Sequence, residues 1–144
     1  METVREIKSW FEKAVPEPSI ENCSVQIGCH FEEVAEMVDA LGFKASYSAH
    51  ELALMFKSRS SPSIYTLERL DEKQKVDLLD ALCDQIVTAV GVAYMMGFDI
   101  EAALGEVNRS NWSKFDEAGN PIFDRNGKIK KGEGYTPPDL ESYI

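Results

Sequence analysis

Residues 75–97 read "KVDLLDALCDQIVTAVGVAYMMG", and their period settles the longest element of the chain. Val76, Leu79, Cys83, Ile86, Val90 and Ala93 advance by threes and fours, the step of one face of an α-helix. A half-buried strand would alternate every second residue, and this stretch does not. The spacing predicts a helix from about Leu70 to Gly97, with Gly97 free to take the left-handed turn that ends it.

The same period continues outward in both directions. Downstream, a helix is predicted over Asp99 to Phe115, with Asp99 as its N-cap. Upstream, "SRSSPS" reads as a loop, and residues 47–58 as a helix carrying Leu52, Leu54, Met55 and Phe56. Ile20 to Leu41 follows the same rule through Phe31, Val34, Val38 and Leu41, with Ser19 able to cap its start and Gly42 as its stop. Residues 2–14 place Val4, Ile7, Trp10, Phe11 and Val15 near one stripe, and Pro16 closes that helix. After Phe115 the composition turns to Gly, Pro and Asn, with Asn126-Gly127 suited to a tight hairpin turn. The expectation is one all-α domain: a bundle of four to five helices over 1–115, and an irregular tail over 116–144 that packs on or over the site.

Composition narrows the function. The chain has 144 residues, 44% hydrophobic and 28% charged, ordinary values for a globular protein. A net charge of -10 argues against a nucleic-acid backbone as main partner, although a metal can carry positive charge to a phosphorylated small molecule. No run approaches the roughly 18 apolar residues of a membrane span, and "METVREIKSWFEK" lacks a signal-peptide core. Cys23, Cys29 and Cys83 are an odd set without paired spacing, which points to reduced thiols. A cytoplasmic protein with no membrane partner is expected.

Two helices carry acids beside their apolar faces. "GCHFEEVAEMVDALG", residues 28–42, holds Glu32, Glu33, Glu36 and Asp39 without a single Lys or Arg. In the long helix Asp77, Asp80 and Asp84 stand three and four apart. A solvated face is the plain reading of either row. If the two helices pack together, Glu33, Glu36, Asp80 and Asp84 converge, and carboxylates crowded in a partly buried place must be protonated or hold a cation. Oxygen donors without His or Cys suit Mg²⁺, with Mn²⁺ as a substitute.

Other metal signals are weak. His30 precedes the acids as H-x-x-E rather than E-x-x-H, Cys29-His30 has no second zinc-ligand pair, and "DRNG" at 124–127 lacks the later ligands of a calcium loop. Trp10 and Trp112 could stack on a base or belong to the core, and Gln26 lies one turn before His30, where it could read a base edge.

"HFEEVAEMVDAL", then "DALCD", "EVNRSNWSKF" and "GKIKKGEGYTPPDL" together resemble the MazG-like all-α nucleoside triphosphate pyrophosphohydrolases, in particular small phage and bacterial forms. The resemblance spans about Trp10 to Leu140. It implies Mg²⁺-dependent hydrolysis of (deoxy)nucleoside triphosphates to monophosphate and pyrophosphate, in a dimer or tetramer. It implies metal ligands among Glu32, Glu33 and Glu36 of EExxE and Asp84 of a later ExxD. The glutamate of that ExxD is Ala81 here, with Asp80 the nearest replacement. Glu36 or Glu32 is the candidate base that orients or deprotonates water. Asn111 and Lys114 match the family's Asn and Lys as substrate donors, and Lys131 with its neighbours Lys128 and Lys130 is a candidate to fold over the phosphates. The competing class is a non-catalytic acidic helical interaction protein.

Overall fold

The computed structural model describes the backbone of residues 2–40 and 47–144, and of these all side chains except those of Thr3, Val4, Lys8, residues 36–40, Tyr47 and Ser48. The expectations for Val4, Val38, Asp39, Leu41, Gly42 and the side chain of Glu36 fall outside the described residues.

The chain is all-α, with six α-helices and no strand among the described residues: α1 (Glu2–Ala14), α2 (Ile20–Ala40), α3 (Tyr47–Lys57), α4 (Ser61–Glu68), α5 (Glu72–Met96) and α6 (Ile100–Trp112). Local chemistry explains the ends. Asp71 and Gln74 form a reciprocal capping box at the start of α5, and Gly97 ends that helix in the left-handed region at φ 79°. Asp99 caps α6 by accepting from the backbone N–H of Ala102.

One helix was illegible. The supposed loop "SRSSPS" contains the start of α4: Ser60 is its N-cap, its side chain accepting from the Ser63 N–H, and Pro62 sits in the first turn. Proline there loses no helical hydrogen bond and arrives with a helical φ already set. A cluster that reads as a breaker is in fact an initiator.

The chain divides into two compact units, neither of which is continuous in sequence and neither of which begins at the expected boundary after residue 115. One comprises Glu17–Leu70 and Phe123–Lys128; the other comprises Met1–Pro16, Asp71–Ile122 and Ile129–Ile144.

In the first unit α2 packs on α3 and α4. The α2–α3 approach is made at Gly28. A Cβ added there would lie 2.4 Å from Lys57 Cγ, 2.6 Å from Lys57 N and 2.8 Å from Ala53 O, so only glycine lets the helices come this close. Buried Ser24 ties the three helices together, donating to the Phe56 carbonyl at 2.7 Å and sharing a hydrogen bond of 3.0 Å with buried Ser63.

In the second unit α1 packs on α6 around a core of Trp10, Ala14 and Phe115. The Trp10 and Phe115 rings stack with centroids 5.6 Å apart. The C-terminal residues are strapped along α6. Ser110 Oγ donates to the Thr136 carbonyl, Arg109 reaches Thr136 and the Pro137 carbonyl, and the Asp139 N–H donates to Glu106. The Asp99 N–H closes the strap on the Tyr143 carbonyl at 2.9 Å.

The stripe of α5 does not form the core that its period suggests. Val76, Leu79, Ile86 and Val90 are exposed, Val76 by 65%, and of the stripe's described residues only Ala93 is buried. The helical period holds because it repeats a face; it does not specify what that face meets.

Candidate functional site

On α2 the acidic row is answered by lysines that are distant in sequence. Lys57, at the end of α3, crosses over Gly28 and donates to Glu32 Oε1 at 2.7 Å. Lys128 donates to Glu32 Oε2, also at 2.7 Å. It is delivered by the predicted turn: Asp124 Oδ1 accepts from the N–H groups of Asn126 and Lys128, the Asp124 N–H donates to the Lys128 carbonyl, and Gly127 takes φ 82°. All of these groups lie in the first unit.

The electrostatics follow. Burial alone would raise the Glu32 pKa, but the hydrogen bonds and charges of Lys128 and Lys57 hold it below its usual value. Burial pulls Lys128 down, and Glu32 outweighs that and raises it. Burial pushes the neighbouring Cys29 thiol up, with the two lysines pulling against it. The two ammonium groups share Glu32 and also act on the Asp124 carboxylate, so acids and lysines are interleaved at this spot. Glu32 could act as a base only after shedding both partners.

Glu33 is exposed on the same helix, and Glu36 lies one turn on, its side chain outside the described residues. Gln26 is exposed earlier on α2. On α5, Asp77 is held by Lys73 at 2.5 Å, while Asp80 and Asp84 face solvent. Thus Glu33 and Glu36 belong to one unit and Asp80 and Asp84 to the other. No group of three or more His, Cys, Asp or Glu able to hold a metal occurs among the described residues.

The expected substrate donors sit in the second unit. Lys114 Nζ donates to Asn111 Oδ1 at 2.7 Å and lies 5.8 Å from the centre of the Trp10 ring. Trp10 itself is a core residue, 6% exposed. Lys131 is exposed and stands over the Tyr135 ring at 4.6 Å. What the sequence concealed is Lys57: nothing in "ELALMFKS" marks its partner, since the pairing arises only where α2 and α3 cross. Lys128 was one of several tail lysines, and the turn before it was the signal that could have singled it out.

No single helix among the described residues is long and apolar enough to cross a membrane. The chain matches no family model, no curated protein and no solved structure.

Proposed function

We propose that the chain hydrolyses nucleoside triphosphates to monophosphate and pyrophosphate with Mg²⁺ or Mn²⁺, as a homo-oligomer, in the manner of the MazG-like enzymes its motifs resemble. The observation that supports this reading is the face of α2, where exposed Glu33 adjoins a carboxylate carrying two ammonium groups. A metal–triphosphate needs that mixture, with carboxylates toward the cation and ammoniums toward the phosphate oxygens.

The donors are oxygen only, which fits a hard divalent ion: Glu33 and Glu36 on α2 would offer carboxylates to it, and Asp80 and Asp84 on α5 are the further acids that the family resemblance nominates. A divalent ion held by carboxylates would neutralise the triphosphate and make a bound water more acidic. The chain's own groups do the rest. Glu36 or Glu33 takes the proton of the attacking water, whose oxygen joins the α-phosphorus as the α–β anhydride bond breaks and pyrophosphate leaves. Lys57 and Lys128 donate to phosphate oxygens and steady the developing charge. A second copy would cover the exposed apolar residues of α5.

The test is pyrophosphate release from a panel of canonical and modified triphosphates. Activity should require divalent cation and fall by orders of magnitude in Glu33→Gln and Asp84→Asn. If no triphosphate is cleaved, the remaining reading is a non-catalytic interaction protein, which the exposed α5 face favours.

A further inference from the structure

Helix α5 packs on α6 alone among the described elements, and α6 leaves it at a bend of 118°. Every residue from Asp71 to Val90 is exposed, on all sides of the helix. Helices in proteins owe most of their stability to a covered apolar face, so a bare one of 25 residues lacks its partner. That face is patterned for one of its own kind. Val76, Leu79, Cys83, Ile86, Val90 and Ala93 alternate steps of three and four without a break, the a and d positions of a heptad repeat. Val76 and Val90 at a, with Leu79 at d, favour two strands.

We infer that α5 pairs with α5 of a second copy, parallel and in register, the two copies related by a two-fold axis along the seam. The residues flanking the seam decide the direction. In a parallel pair each g position meets the next e position of its partner. Lys75 then faces Asp80 of the second copy, Leu82 faces Val87, and Ala89 faces Tyr94. Charge meets opposite charge, and apolar meets apolar. An antiparallel pair overlapping the same six seam positions brings e to e instead, and sets Asp80 against Val87 and Lys73 against Tyr94. Asp77 and Asp84 fall on the outer face of the parallel pair, where they stay hydrated. In the single chain Lys75 donates to Glu72 of its own helix at 2.8 Å, an exposed pair weak enough to exchange. The inference rests on the homo-oligomer of the proposed function and not on its chemistry. It gives Asp80 a task of its own, holding the second copy in register.

The register is read by cross-linking the full chain in a Cys23→Ser background, which removes the other exposed thiol. With helix axes about 8–10 Å apart, residues facing across an a position bring their Cα atoms within the roughly 7 Å that a disulfide spans. Diamide, which takes up the two hydrogens as two thiols join, should link the background protein into a dimer on a non-reducing gel. Cys83→Ser should lose that band, and Val76→Cys added to Cys83→Ser should restore it. In the antiparallel pair the two positions 76 lie about 25 Å apart along the axis, too far for a bond. Lys75→Glu should raise the dissociation constant of the dimer about tenfold in sedimentation, and Asp80→Lys added to it should bring the constant back. These side chains are all exposed in the single chain, so the variants should keep their helical circular dichroism. A dimer that Val76→Cys cannot link, whose link does not depend on Cys83, or that Lys75→Glu leaves unchanged, overturns the register while the homo-oligomer stands. A chain that is monomeric at every concentration overturns both.

Discussion

Glu106 shows how a single side chain organises the C-terminal strap. Arg109 reaches it with two nitrogens and the Asp139 N–H with a third donor, which together hold its carboxyl at about 2, below the ordinary 4.5. A depressed carboxylate stabilises the fold fully above its unfolded value and loses that contribution as pH falls through its folded value. The wild type should therefore melt above Glu106→Gln by a constant margin from pH 7 to about 5, and the margin should close towards pH 2. Melting curves of both proteins across that range check it; a margin unchanged at pH 2 would mean that the charge of Glu106 is irrelevant to the strap. Glu32 works differently, since its partners come from two other elements. Lys57→Met leaves one ammonium on it and Lys128→Met the other, so each single change should destabilise less than the pair removed together. Denaturant unfolding of the two singles and the double variant measures that coupling.

Among the elements, α2 and α3 depend most on one residue. Gly28→Ala would gain roughly 1 kcal/mol of helix propensity, but its Cβ has no room against the Lys57 N and the Ala53 O, and backbone atoms do not step aside as a side-chain end can. Net destabilisation of about 1–3 kcal/mol in denaturant unfolding is expected, the usual cost of overpacking. Ser60→Ala should cost about 1 kcal/mol through its cap on α4. Both cases mark where sequence reading succeeds and stops. The end of α5 and the start of α6 were legible because their signals, Gly97 and Asp99, act on neighbouring backbone, whereas the Asp71 cap of α5 was not singled out. α4 was missed because Pro62 means opposite things at the start and in the middle of a helix. The acidic rows were legible as patterns, but the lysines on Glu32 were not, since the crossing of α2 and α3 rests on a missing side chain at Gly28. The stripe of α5 correctly announced a helix and misled about its burial.

At the scale of the whole molecule, that stripe is the least reconciled feature. Val76, Leu79, Ile86, Val87 and Val90 are exposed together on α5, an apolar face of the kind that the proposed second copy would cover. We expect wild-type protein to sediment as an oligomer, and Leu79→Asp with Ile86→Asp to shift it toward the monomer while the circular dichroism stays helical. A wild type that stays monomeric at every concentration would remove the second copy from the proposed function. The discontinuous first unit has a different consequence, one of timing. Its helices occupy Glu17–Leu70, yet the Lys128 that completes Glu32 lies 96 residues beyond its partner. A ribosome must therefore finish all of α5 and α6 before this unit can close, and α2 waits in the interval with one of its two counterions. Loop closure over so long a span is costly, and we expect this contact to form late in folding. Losing Lys128 should then quicken unfolding and barely alter refolding, so the turn at 124–128 works as a latch: closed last, it governs how long the fold lasts more than how fast it is made.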